Sequence, residues 1–265
     1  MYTVSMQEYL QFARAIAKKA ARIMHAHYGA AFDEKEKREA VTAADREINR
    51  LLITEVEKTY PNHSVYGEEE SSIKESPFVW VCDPIDGTLH FASRTPLSCF
   101  SLALAENGES KVGLIYDVFS DRMYTAIKGE GAFMNGKPIH VSKKDLAPNT
   151  IIDEEWWPCC GFDIVPAVHA LSQQTKAYVM KIGSTVHATT LVARGDFAAV
   201  IFPGTENKSM DIAAAKLIVE EAGGKVTDIT GKDQRYDTGI INGAIVSNGV
   251  VHDALVRALQ NVPRS

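Results

Sequence analysis

The stretch "VWVCDPIDGTLHF", residues 79–91, sets Asp83 and Asp86 three positions apart, with Pro84 between them and Gly87 after them. The apolar run that leads into it has the length and composition of a buried strand. Two anions at the end of such a strand cost several kcal/mol, or drive one pKa sharply upward, unless something compensates them. A hard divalent cation does so, because oxygen-rich sites of this kind suit Mg²⁺ or Ca²⁺. Pro84 fixes a tight turn, and Gly87 lets backbone amides approach a ligand closely. A helix starting at Thr88 would add free N–H groups for an anion beside the metal. Cations and amide donors converging on one spot suggest a phosphate. The plain alternative is an ordinary Asp-Gly turn with Asp83 as a cap.

Further acids lie in separate segments. "YGEEES" places Glu68, Glu69 and Glu70 after a glycine, and "SMDIAAAKLIVEEAGG" places Asp211 in the first turn of an apolar helix. Taken singly, the glutamate run reads as solvated surface, and Asp211 as an N-cap or a partner of the helix dipole.

The chain has 265 residues, near the size at which a single core stops growing, so one large domain or two packed ones are expected. A formal charge of -6 argues against a nucleic-acid polymer, since there is no basic surplus to release counterions. It leaves room for a small phosphorylated substrate if a cation sits between the two. No stretch approaches the about 18–20 apolar residues that span a bilayer, and the amphipathic first residues lack a signal-peptide core. No membrane association is expected. The four cysteines, Cys82, Cys99, Cys159 and Cys160, form no CxxC pair and are expected to be reduced, in a cytoplasmic protein.

Apolar spacing predicts a helix over 6–28, stopped by Gly29, and a second after Thr42 as N-cap, ending before Pro61. The charged connector "DEKEKRE" between them reads as a solvated loop from which Lys35 or Lys37 could reach into a site. Residues 78–83 are a short apolar run, and from 98 to 142 the pattern alternates, with turn signals at 107–108, 120–121, 129–131 and 135–136, which predicts an antiparallel meander. A boundary is expected at 143–150, which divides the chain into an α+β part over 1–145 and an α/β part over 146–265. In the second part strands are expected at 150–153, 177–182, 197–202, 225–227 and 244–247. Helices are expected at 164–173, 185–194, from 210 to the glycines at 223–224, and at 251–259. Helices and sheets therefore alternate in layers.

"GEE", "DPIDGTLHF" and "MDIAAAKLIVEEAGG", in this order, resemble the inositol-monophosphatase-type Mg²⁺-dependent phosphatases. "VTAADREINRLL", "VGLIYDVFSDRMYTAIKGEGAFMNGKPIHVS" and "GSTVHATTLVARG" extend the resemblance over nearly the whole chain. It implies an alternating αβαβα sandwich, with most metal ligands in the first part and Asp211 and the pocket loops in the second. The implied ligands are Glu68, Asp83, Asp86, Asp211 and the main-chain carbonyl of Ile85. They hold two or three Mg²⁺ ions, for which Mn²⁺ can substitute. Asp83 bridges two ions, Asp86 and Asp211 hold the one nearer the leaving group, and Glu68 holds the one that acidifies a water. Thr88 orients that water, and Asp45 is the hydrogen-bonding partner of Thr88; without the resemblance, Asp45 is a first-turn helix acid. Gly87, Thr88, Gly183, Ser184, Thr185 and Asp211 line the substrate. The implied reaction is in-line attack of metal-activated water on a small phosphomonoester, inositol monophosphate or a related polyol or sugar phosphate. A homodimer and lithium inhibition follow by analogy alone.

The chain departs from that pattern in places. Met210 stands where most relatives have tryptophan, and Phe202 where those acting on inositol phosphates have a glutamate. "PGTENK" is about two residues longer than usual. Glu206 could replace the missing acid or Lys208 bind a second phosphate, and a surface loop with neither role is an equal reading. His90 either meets substrate or packs. Trp156 and Trp157, in "DEEWWPCCGFD", either stack a base or pack a core or dimer face, packing being preferred. Alternative activities are a 3'(2'),5'-bisphosphate nucleotidase, a fructose-1,6-bisphosphatase and a histidinol-phosphatase. The alternative from another class is a regulatory protein that kept the fold.

Overall fold

The computed structural model describes residues 4–34, 40–157, 160, 162–203, 209–238 and 241–260. Helix α1 (Met6–His27) opens on a capping box, with the Glu8 amide on Ser5 Oγ and the Ser5 amide on Glu8 Oε2. It ends one residue before the expected limit and buries Leu10, Ala13, Ala17, Ala20 and Met24 along one face. Strands β1 (Phe32–Glu34) and β2 (Ala40–Thr42) pair antiparallel. The first two residues of the connector expected to be a loop, Asp33 and Glu34, are therefore strand, because backbone pairing at an exposed edge tolerates charged side chains. Lys35 and Lys37 lie outside the described residues. Helix α2 (Ala43–Thr59) follows, with Thr42 as its N-cap.

The first sheet runs in chain order: β3 (Ser64–Gly67), β4 (Phe78–Asp86), β5 (Cys99–Glu106), β6 (Glu109–Asp117), β7 (Arg122–Ile127), β8 (Ala132–Met134) and β9 (Lys137–Pro138). β3 is parallel to β4 and every later pair is antiparallel, so the meander is as expected. Side chains alternate. Trp80 and Cys82 of β4 and Phe100, Leu102 and Leu104 of β5 pack under α1 and α2. Val79, Val81, Cys99 and Ala103 face the other way.

After the short helix α3 (Thr88–Ala92), which precedes β5, the second half supplies β10 (Ile151–Glu154), α4 (Val165–Thr175), β11 (Tyr178–Met180), α5 (Thr185–Ala193) and β12 (Ala199–Phe202). It closes with α6 (Met210–Glu221), β13 (Lys225–Thr227), β14 (Ala244–Ser247) and α7 (His252–Leu259). The second sheet has the order β11-β10-β12-β14-β13; β10, β11 and β12 are parallel and β14 is antiparallel to both its neighbours. Each expected element is present, its ends shifted by a few residues at most.

Helices α5 and α6 lie between the two sheets. Val200, Phe202, Ala244 and Val246 join them from the second sheet, and Val79, Val81 and Ala103 from the first. Ile201 and Ile245 point outward onto the layer of α4 and α7, with Val168 and Leu255. The result is the expected five-layer αβαβα sandwich, with a core between each pair of layers. Cys82 and Cys99 are buried free thiols, and Cys159 lies outside the described residues. Among the described residues no helix is long and apolar enough to cross a membrane.

Candidate active site

Two side chains three positions apart in a regular strand point to opposite faces. Along β4, Asp83 stands opposite Ser101 and Asp86 opposite Cys99, so Pro84 and Ile85 face the single residue Phe100. One extra residue makes a β-bulge, and the bulge returns Asp86 to the face that carries Asp83. Cys99, directly opposite Asp86, belongs to the core between the sheets, so this is the face covered by α5 and α6. The expected tight turn after the strand is thus a bulge inside it. Pro84 fits there because a bulge leaves one amide out of the ladder. The Ile85 amide donates to Asp83 Oδ1 at 3.0 Å and holds the kink.

Glu68 follows directly from β3, and its amide donates to Cys82 O, which sets it alongside Asp83 on the neighbouring strand. The glutamate run is pinned from α2. Asn49 Nδ2 donates to Glu70 O at 2.7 Å, and Asn49 Oδ1 accepts from the Glu69 amide. Asn49 is fully buried and four residues beyond Asp45, so both project from one side of α2. Sequence reasoning passed over Asn49; its signal was an uncharged polar residue at an inward position of the helix.

Asp45 performs its first-turn duty. Its Oδ2 accepts from the Thr42 amide at 2.8 Å and from Thr42 Oγ1 at 2.5 Å. Its Oδ1 is buried without a partner. Burial pushes the carboxyl up to about 7 against the pull of the Thr42 bonds, and the charges of Glu68 and Glu69 push the same way. Thr88 Oγ1 donates to Ile85 O at 3.1 Å, so Thr88 is not bonded to Asp45 here.

Asp86 sits against the start of α5. Its Oδ2 accepts from the Ser184 hydroxyl and, at 3.2 Å, from the His187 amide, while the Val186 amide adds a third bond. No cation is among these donors. Burial holds this carboxyl above the usual range despite them, and Glu155 adds a like charge. Gly87 is required where the motif turns towards α3: its φ is +78°, and a Cβ there would stand 2.7 Å from Leu97 O and 3.1 Å from Ser184 Oγ. His90 Nε2 lies 2.8 Å from Ile182 O, which ties α3 to the turn before α5. The ring is therefore engaged by the fold.

Asp211 occupies the first turn of α6 and is buried. Ser184 and Thr185 are buried where α5 begins, and Gly183 precedes them with φ +79°. Among the described residues, no three His, Cys, Asp or Glu side chains close into a group able to hold a metal ion. Asp86 is drawn instead to the α5 amides, and neighbouring carboxylates repel one another. The donor set still suits a hard cation. Its members are acids and one carbonyl, all oxygen donors, and Asp86 is held above its usual range by burial. The adjoining acid Asp45 is raised likewise, with Oδ1 buried and without a donor.

A profile of the inositol monophosphatase family matches residues 5–264. The chain belongs to the inositol monophosphatase family. Its members are phosphoric monoester hydrolases, and the chain is an enzyme of that class. It is 30% identical over 263 residues to a fructose-1,6-bisphosphatase/inositol-1-monophosphatase of Thermotoga maritima, covering 96% of each chain. It is 32% identical over 236 residues to the Nus factor SuhB of Pasteurella multocida, covering 85% of this chain and 87% of the relative. A crystal structure of an IMPase/NADP phosphatase complexed with Mg²⁺ and phosphate superposes with TM-score 0.82 at 25% identity, over 96% of each chain.

This member of the inositol monophosphatase family differs where its pattern departs. Met210 is buried at the start of α6. Phe202 is buried too, and its ring packs on Trp157 at 5.5 Å between centroids. Trp156 packs against the outer core of the second sheet. Both tryptophans serve packing in the structure. Glu206 and Lys208 lie outside the described residues.

Proposed function

We propose that this enzyme is a Mg²⁺-dependent phosphatase of small polyol or sugar phosphates, with inositol monophosphate as the first substrate to test. The bulge in β4 carries the reading, because it turns Asp83 and Asp86 to one buried face beside Glu68. Glu68, Asp83, Asp86, Asp211 and the Ile85 carbonyl would hold the ions. Bound there, Mg²⁺ supplies positive charge to the transferring phosphoryl group and acidifies the attacking water. Asp45, with Oδ1 spare and its carboxyl near 7, is the proton acceptor on the water side, and Thr88 orients the water. Gly87, Thr88 and the 183–185 turn face the phosphate and its leaving group. The likeness to an enzyme named for both fructose-1,6-bisphosphate and inositol 1-phosphate favours a broad sugar-phosphate pocket.

Phosphate release from inositol 1-phosphate tests the proposal. It should require Mg²⁺, stop with chelator, and fall about 10²–10³-fold or more in Asp86→Asn. Fructose 1,6-bisphosphate, adenosine 3',5'-bisphosphate and histidinol phosphate in the same assay rank the alternatives. The likeness to a Nus factor keeps a regulatory reading in play. Absence of metal-dependent turnover on every phosphomonoester tried would favour that second reading and sink the first.

A further inference from the structure

The turn between β11 and α5 is held from several sides by groups outside the DPIDG motif. Asp153 Oδ1, in β10, accepts the Ile182 amide at 2.9 Å, and Glu155 Oε1, just past β10, accepts the Gly183 amide at 2.7 Å. His90 Nε2 meets the Ile182 carbonyl from α3. The next residue, Ser184, places its hydroxyl on Asp86, and the Val186 and His187 amides follow. Asp153 is fully buried and Glu155 nearly so. Asp153 Oδ2 receives no donor from any described group, yet its carboxyl is within hydrogen-bonding reach of the Glu155 carboxyl. Two carboxylates cannot bond to each other without a proton between them.

We propose that Asp153 and Glu155 share one proton and act as positioning residues, clamping the 182–184 turn so that Ser184 and the first amides of α5 stay on Asp86. The proton satisfies Asp153 Oδ2 and leaves the pair one negative charge, accepted by the two turn amides. Burial, and then the Glu155 charge and hydrogen bond, hold the Asp153 carboxyl well above the usual carboxylate range. The charged groups around the pair do not replace the proton. Asp86 on β4 is itself an acid that burial holds above its usual range, Glu154 is engaged by His169 of α4, and Lys181 is turned to the Trp156 carbonyl. Loss of the proton at alkaline pH sets two adjacent anions against each other and loosens the turn. The role rests on the reading of Asp86 as a site acid.

Glu155→Gln is the deciding variant, because its amide offers a permanent donor to Asp153 while its oxygen still accepts from Gly183. The proposal expects Glu155→Gln to keep kcat within about twofold at neutral pH and to lack the wild-type alkaline decline, with Glu155→Ala losing about tenfold or more in kcat. In metal-free protein, the Ile182 and Gly183 amide resonances should titrate with alkaline pH in the wild type and not in Glu155→Gln. The proposal is overturned if those resonances titrate alike in both proteins or in neither, or if Glu155→Ala keeps full kcat. The resonance measurement needs no turnover, so an inactive wild type would sink the phosphatase reading while leaving the clamp decided.

Discussion

At Asp45 one carboxyl has two employments. Oδ2 caps α2 through Thr42, and Oδ1 is left buried where Glu68 and Glu69 add like charge. The folded protein therefore keeps a proton here up to about 7, against 3.8 for the ordinary group. More protons are bound folded than unfolded across that window, so stability falls as pH rises from about 4 to about 7 and is level above it. Asp45→Asn removes the penalty and keeps an oxygen for the Thr42 amide. Thermal melts of the metal-free proteins should place the variant above the wild type at about pH 8, with the gap shrinking towards about pH 4. A gap that does not change with pH would mean the carboxyl is not held protonated.

At the scale of elements, β4 with its bulge and the glycine after it make the site. Gly87→Ala demands φ near +78° from a residue with a Cβ, and that atom would press on Leu97 O. The left-handed conformation alone costs about 1–2 kcal/mol, so denaturant unfolding should show at least that loss, accompanied by a fall in phosphate release. Unchanged stability and activity would show that the turn has slack. The paired aspartates were legible in the sequence as a motif, but the bulge was not. An extra residue in a strand is defined only against its partner, here Phe100, and Pro84 beside Gly87 reads equally as a turn. Asp153 and Glu155 were likewise passed over, because they stand at the end of a short strand, just before two tryptophans. Their chemistry exists only where the 182–184 backbone arrives.

Over the whole molecule, the layer of α5 and α6 belongs to both sheets. Ala213, Ala214 and Ala215 are fully buried there, and their small side chains let α6 lie close between the two. Ala214→Leu should overpack this layer, costing about 1–3 kcal/mol. Because each sheet rests on the same helices, calorimetry should show one unfolding transition, lowered as a unit in the variant; two separated transitions would contradict a shared core. Helical and strand periods gave the elements in advance, since long amphipathic and apolar runs report their own burial, while the order of the layers came from the family resemblance. The short pair of β1 and β2 escaped, because strands of three residues are too short to show a period. Whether these layers hold their acids around an ion is tested most directly by diffraction from crystals soaked in Mn²⁺, recorded at the manganese edge. An anomalous peak bound by the carboxylates of Asp83 and Asp86 is the expected result. No peak at those two side chains, at Mn²⁺ levels that support full phosphate release, would contradict the account.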